Sequence, residues 1–333
     1  MIRIIHILQH LFMAPSEHIA FLVSNKLGDS LLLLALAHNL VRSGRRVTVF
    51  GRQAHALASW LPGLEVRPIP SEGALALTQF DSVFQMDIDQ PIALDPHNCP
   101  RPLRSLTTWL RQQPAQPRLF LDELRHFAKA VYGIEDWSSA CGLVLPHPER
   151  WRQNRRRIVI HPTAGSAERY WSDSKFIELA QRLSRQGHDV AFVVEEREAA
   201  AWQATAQKQP FSVHHFESLQ ALGDFIHESG YLIGNDSGIG HLASALGVPT
   251  VTISHRPRNM LRWRPQWVPG VIVPHLWLPL RVWRRKYWRF AVTVTAVTRS
   301  LRQLQKMETR DDRPNVPAPP GLGKAVVTDI PPA

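Results

Sequence analysis

The sequence predicts an α/β protein of two consecutive domains, each built on a parallel β-sheet covered by helices. Its 333 residues correspond to two domains of ordinary size. Short apolar runs alternate with helix-like segments in both halves, as in parallel sheets whose strands are connected by helices. A polar, basic segment with two prolines, residues 145–157, interrupts this alternation and indicates an interdomain linker.

In the first half, residues 19–24 form a short apolar run typical of a buried parallel strand. A polar turn leads to a predicted helix at 30–42, and Gly44 follows where a terminating glycine is favoured. With a strand at 47–50, these elements make a strand–helix–strand unit. Further along we predict a strand around Val83 and Phe84 and a helix at 121–132.

The second half repeats this pattern, which predicts two Rossmann-like domains facing a central cleft. We place the domain boundaries at 1–148 and 149–306. Residues 307–333 are rich in Pro, Asp and Arg and are predicted to be a disordered tail. In this half the predicted strands are 158–160, 189–194, 231–233 and 248–253, and the predicted helices are 174–186, 196–207, 218–228 and 240–246.

Composition argues against a secreted or membrane-spanning protein. Two cysteines, Cys99 and Cys141, are too few for a disulfide framework. No apolar run reaches the 18 residues of a spanning helix, and polar residues interrupt the apolar start of the chain, unlike a signal peptide. We therefore expect a cytoplasmic protein.

The net charge of +11 is concentrated in one stretch, residues 255–306, here called the basic segment. It contains 12 Lys and Arg, no Asp or Glu, and five of the 11 tryptophans. Such a segment suits single-stranded nucleic acid, the anionic inner membrane leaflet, or phosphates on an acceptor. The alternative is a solvated helix face with tryptophans in the core. We favour contact with the membrane or an acceptor.

The motif that most strongly indicates a binding site is the glycine-rich turn at 234–249, between a predicted strand and a helix. Asp236 or Ser237 can cap that helix, and its free N–H groups can bind an anion. Gly238 and Gly240 would let a phosphate approach the backbone, and His241 would face the same ligand. An ordinary capped helix explains this pattern equally well.

In each half, one further segment with candidate functional residues follows the first strand. Asp29, within Lys26-Leu-Gly-Asp-Ser30, could act as a general base on a hydroxyl, although an N-cap role is the more common one for Asp at such a position. After the second domain's first strand, Thr163, Ser166 and Arg169 are suitable phosphate donors. The alternative there is a solvated loop with Trp171 packed on the core.

Taken in order, these motifs resemble glycosyltransferase family 9, the heptosyltransferases of lipopolysaccharide core assembly. Gly28-Asp29 matches the family's Gly-Asp pair after the first strand, and Arg169-Tyr-Trp171 matches its basic-spacer-Trp pattern. Residues 236–243 match its Asp-Ser/Thr-Gly-x-x-His-x-Ala signature in full. The matches extend over residues 19–253. One departure is Arg169, where the family commonly has Lys.

The resemblance implies a GT-B fold and an inverting transfer of heptose from ADP-heptose to a lipopolysaccharide-type or other glycan hydroxyl, without metal or another cofactor. Asp29 would be the catalytic base, with Lys26 and Gly28 on the acceptor side. An acidic residue, Glu198 or Glu196, would contact the ribose. The expected partners are the donor and the glycan acceptor, with peripheral contact to the inner membrane and no nucleic acid. The implied donor-binding residues are Thr163, Ser166, Arg169, Glu198, Asp236, Ser237, Gly238, Gly240 and His241.

Other signals carry less weight. Asp87-Ile-Asp89 has the form of a metal-binding pair, but two acids at this spacing arise by chance in most chains of this length. Ser237 lacks the glycine pattern around a hydrolase nucleophile. The main alternative function is a non-catalytic nucleotide or nucleic-acid binder that uses the basic segment. Thermal stabilisation by a nucleotide sugar but not by an oligonucleotide would separate the two functions.

Overall fold

The computed structural model describes residues 17–69, 77–86, 102–114, 118–255, 257–274 and 287–311. These residues form two α/β domains, each with a parallel sheet, which confirms the predicted fold class. Asp87, Asp89 and residues 312–333 lie outside the described residues, as do Trp277 and Trp283 of the basic segment.

The first sheet has the order β3-β2-β1-β4-β5, all parallel. Its central strand β1 is paired on both edges and buried, which explains why its sequence is a continuous apolar run. The strands are β1 (His18–Leu22), β2 (Arg46–Phe50), β3 (Glu65–Arg67), β4 (Ser82–Gln85) and β5 (Leu103–Ser105), and the helices are α1 (Leu27–Arg42), α2 (Arg52–His55), α3 (Leu106–Arg111) and α4 (Phe120–Tyr132).

The second sheet has the order β11-β10-β9-β6-β7-β8, also parallel. Its strands are β6 (Asn154–His161), β7 (Asp189–Val193), β8 (Ser212–His214), β9 (Ser229–Asn235), β10 (Thr250–Ile253) and β11 (Gly270–Ile272). Its helices are α5 (Asp173–Arg185), α6 (Glu196–Ala206), α7 (Leu219–His227), α8 (Gly238–Ala245), α9 (Pro257–Trp263) and α10 (Val294–Asp311).

In each sheet the strand order reverses once, at a topological switch point, and these two switch points determine where the site lies. In the first sheet, β2 and β3 are added on one side of β1, and β4 and β5 are then added on its other side. In the second sheet the switch point lies between β6 and β9. Loops at the carboxyl ends of the strands flanking such a switch point diverge and leave a crevice that binds ligands.

Helix α1 joins the two domains. Its leucines at positions 31–34 are fully buried, so the helix is apolar on every side rather than amphipathic. One hydrophobic cluster contains this helix together with Leu232, Leu242 and Val248 of the second domain. The domains therefore pack against each other through α1 and α8, and α1 is covered on both faces.

The helices beside the cleft begin earlier than the sequence predicted. Helix α1 starts at Leu27 instead of residue 30, and α8 starts at Gly238 instead of residue 240. The additional first-turn residues include glycines, and because glycine has a low intrinsic helix propensity, the sequence did not predict these helix starts. Packing of the two helices against each other compensates for that propensity.

The predicted boundaries of the second domain are wrong at both ends. Asn154–Arg157, assigned to the linker, belong to β6, and α10 extends to Asp311, so the disordered tail does not begin at 307. The side chain of Glu308 binds the buried Arg152 and the Tyr231 hydroxyl. The second domain therefore includes residues 307–311. Within the described ranges, no helix has both the length and the apolar character needed to cross a membrane.

Candidate functional site

A cavity of about 310 Å³ lies between the domains, where the switch points of both sheets face each other. Its wall combines the loops after β1 and β4 with those after β6 and β9. Eight residues predicted from the sequence line it: Lys26, Gly28, Asp29, Arg169, Asp236, Ser237, Gly238 and His241. Motifs more than 200 residues apart thus meet at one site.

The N-termini of α1 and α8 are in direct contact at this cavity. A Cβ added at Gly28 would lie 2.8 Å from Cδ2 of His241, and one at Gly238 would lie 2.7 Å from Cβ of Leu27. Each glycine is therefore required by the close approach of the opposite helix. Because both helix dipoles direct their positive ends here, the cavity favours an anion.

We expect Gly28→Ala to destabilise the protein by about 1–3 kcal/mol, because the added methyl group must displace His241 or separate the two helices. The measurement is the melting temperature. Gly63→Ala is the matched control, since a Cβ there has no heavy atom within 4 Å. Equal melting temperatures for the two variants would show that the helices are not in the contact described.

Asp29 lies in the first turn of α1 and is half-buried in the cavity wall. The N-cap position belongs to Lys26, so the N-cap interpretation of Asp29 is wrong. A carboxylate in the first turn still gains from the helix dipole. The dipole explains an acid at this position, but it does not explain why the acid faces the cavity.

Arg169 and Asp236 are neighbours in the cavity wall, with 3.7 Å between Arg169 Nη1 and Asp236 Oδ2. Burial raises the pKa of Asp236, and the Arg169 charge opposes that shift. The Arg169 side chain is 44% exposed and its contact with Asp236 is long. The guanidinium can therefore turn toward an incoming anion at small cost.

His241 is buried at the start of α8 and is uncharged at neutral pH. Burial lowers its pKa to about 4, although a hydrogen bond to the Trp263 backbone acts in the opposite direction. Its Nδ1 and the Ser237 hydroxyl oxygen are buried with no hydrogen-bond partner among the described residues. Ser237 occupies the N-cap position without making a capping bond. Both atoms therefore remain available to a ligand in the cavity.

Four of the predicted donor-binding residues are not part of the cavity wall. Thr163 is buried, and its hydroxyl oxygen lies 3.0 Å from Nε2 of His161. Ser166 is exposed, and Gly240 is buried in the first turn of α8. Glu198 lies in the first turn of α6, where burial and then the neighbouring Glu195 raise its pKa. Glu198 therefore lies in the second domain, beyond the carboxyl end of β7.

Sequence reasoning missed Met86, His255, Met260 and Trp263, which complete the wall. Trp263 stacks on Phe120 of the first domain with 4.2 Å between ring centroids. The concentration of tryptophans in the basic segment was a signal for this residue, but it did not indicate the cleft.

Of the other described tryptophans in the basic segment, Trp267 donates to the Ser139 carbonyl and Trp288 to the Glu168 carbonyl. Trp288 is fully buried, whereas Trp267 is partly buried against the interdomain core. For Trp267 and Trp288 the core interpretation is confirmed. Contact of the basic segment with the membrane or an acceptor stays a prediction. Within the described ranges, no cluster of three or more His, Cys, Asp or Glu is arranged to hold a metal ion.

Solved structures with the same architecture include heptosyltransferases. E. coli heptosyltransferase WaaC with ADP aligns with a TM-score of 0.65 at 15% identity, covering 87% of this chain and 98% of that one. E. coli ADP-heptose lps heptosyltransferase II gives 0.63 at 16%, covering 88% and 99%. The glycosyl transferase family 9 protein from Veillonella parvula DSM 2008 gives 0.65 at 14%, covering 89% and 99%. The chain thus has the GT-B fold of these glycosyltransferases.

The sequence comparison points to the same group. The model of glycosyltransferase family 9 (heptosyltransferase) matches residues 119–273, which include Arg169 and the whole of the 236–243 motif. A comparison with curated protein sequences gives no match. The resemblance to glycosyltransferase family 9 is confirmed.

Proposed function

We propose that the protein is an inverting glycosyltransferase that transfers a heptose or related sugar from a nucleotide diphosphate donor to a glycan hydroxyl. The observation that carries the proposal is one cavity in which a carboxylate from the first domain faces an arginine and a helix N-terminus from the second. A base for the acceptor and cationic partners for the leaving diphosphate are the two requirements of such a transfer.

The second domain supplies the partners for the donor. As the glycosidic bond breaks, the diphosphate gains negative charge, which the α8 N-terminus and Arg169 stabilise without a metal ion. We propose that the Ser237 hydroxyl, which has no partner among the described residues, donates to a phosphate oxygen, whereas uncharged His241 contributes no positive charge. ADP-heptose is the proposed donor, because E. coli heptosyltransferase WaaC was solved with ADP and a second neighbour is described as acting with ADP-heptose.

The first domain supplies the group that reacts with the acceptor. Asp29 takes the proton of the acceptor hydroxyl as its oxygen attacks the anomeric carbon, while the bond from that carbon to the diphosphate oxygen breaks. One displacement of this kind inverts the configuration at the anomeric carbon. The proposed acceptor is a lipopolysaccharide-core or other glycan, and we place the reaction in the cytoplasm at the inner membrane.

The proposal is tested by incubating the purified protein with a panel of nucleotide sugars and truncated lipopolysaccharide, with and without EDTA, followed by mass spectrometry of the products. We expect a mass gain of one heptose with ADP-heptose, unchanged by EDTA. Loss of transfer in EDTA with recovery on adding Mg²⁺ would contradict the metal-free mechanism. Thermal stabilisation by oligonucleotides but not by ADP would instead favour the nucleic-acid binder.

We expect Arg169→Ala to weaken ADP binding by about 10–100-fold, since a hydrogen bond to a charged group contributes roughly 1.5–3 kcal/mol. Isothermal titration calorimetry with ADP measures the effect. Arg182→Ala in α5 is the control, because the side-chain partners of Arg182 among the described residues are the exposed Glu178 and Thr295. Unchanged ADP affinity in Arg169→Ala would remove this residue from the donor site.

A further inference from the structure

Arg264, directly after α9, carries a buried guanidinium without a hydrogen-bond or ion-pair partner among the described residues. The residue is 8% exposed, and its Nε and Nη2 are fully buried without a hydrogen bond. No hydrogen bond or ion pair to this side chain occurs in the part of the chain that the structure describes. Burial lowers the Arg264 pKa, and no carboxylate among the described residues opposes the shift.

Such an arrangement costs free energy that the fold does not recover, because a buried charge is normally paired. Arg152 is equally buried but forms two hydrogen bonds with Glu308. Packing alone therefore does not account for an arginine at position 264. An anion that binds to the Arg264 guanidinium would offset the free-energy cost of burying its charge.

The backbone around Arg264 is fixed between the two domains. The preceding residue, Trp263, stacks on Phe120, and its backbone accepts a hydrogen bond from His241. Gln266 accepts from the backbone N–H of Leu121 at 3.2 Å, so the same segment is bound to the start of α4. Arg264 thus lies between two residues that are fixed where the second domain contacts the first.

We propose that Arg264 binds an acidic group, a phosphate or a carboxylate, on the acceptor. This inference rests on the proposed function, in which the first domain receives the acceptor. The donor diphosphate is the other source of such a group, but Arg264 does not line the cavity that contains Arg169 and Asp236. A guanidinium presents a planar fork of donors, which suits two oxygens of one acidic group.

The experiment compares Arg264→Met with Arg262→Met, which removes a neighbouring arginine that is paired with Glu123 at 2.6 Å. In phosphate-free buffer we expect the melting temperature of Arg264→Met to equal or exceed that of the wild type, while Arg262→Met melts lower. Inorganic phosphate is then titrated into protein saturated with ADP. We expect phosphate to stabilise the wild type and Arg262→Met, and its apparent Kd to rise at least tenfold in Arg264→Met.

Two results would overturn the inference. A loss of melting temperature in Arg264→Met as large as in Arg262→Met, with unchanged phosphate affinity, would make Arg264 a structural residue. A tenfold loss of ADP affinity in Arg264→Met would assign the group to the donor. If ADP fails to bind the wild type, the proposed function fails, and the phosphate titration without ADP still decides whether Arg264 binds an anion.

Discussion

Asp29→Asn is expected to reduce turnover by about 10²–10⁴-fold, equivalent to roughly 3–5 kcal/mol of barrier, while the protein stays folded and binds ADP normally. The amide has the size of the carboxylate but cannot take the acceptor proton. The substitution also removes a charge from the first turn of α1, which costs only about 0.3–1 kcal/mol of stability. Turnover, ADP affinity and melting temperature measured on one preparation separate these effects.

The matched control is Asp122→Asn, which removes an exposed first-turn carboxylate from α4, outside the cavity wall. Its helix-dipole effect is of the same kind, so we expect a similar small loss of stability and unchanged turnover. The base assignment would not survive if Asp29→Asn kept more than about a tenth of wild-type turnover, because that loss falls short of the range for a general base.

Glu308→Ala is expected to lower the free energy of unfolding by about 2–4 kcal/mol. The carboxylate binds both sides of the Arg152 guanidinium and accepts from the Tyr231 hydroxyl. Its removal leaves Arg152, whose side chain is 8% exposed, as an unpaired buried cation. The estimate stays below the top of the range for buried pairs because Glu308 retains 19% exposure. A fall in melting temperature of roughly 5–10 °C corresponds to this loss.

Glu135→Ala provides the comparison, since Glu135 and Lys129 form an ion pair whose side chains are 72% and 61% exposed. Solvent screens that pair, and we expect a change below about 1 kcal/mol. A melting temperature for Glu308→Ala equal to that of Glu135→Ala would mean that residues 307–311 do not belong to the folded second domain.

The sequence by itself determined the architecture and most of the cavity wall. Alternating apolar runs and helical segments are local properties, and they predicted the longer strands of both sheets. Asp29, Arg169 and the Asp236–His241 motif follow strands, and the carboxyl ends of parallel strands share one edge of a sheet. The rule that places ligands at that edge therefore predicted that these residues meet, even though 140 or more positions separate Asp29 from the others.

The tertiary structure alone decided which side chains contact each other. Nothing near Gly28 or Gly238 in the sequence shows that one helix end lies against the other, and this contact excludes a Cβ at both. The same holds for Trp263 on Phe120 and for Glu308 with Arg152, 156 positions apart. Periodicity and turn chemistry act over a few residues and fix the elements. The partners of a buried charge or ring depend on how finished domains pack, and that information is distributed over the whole chain.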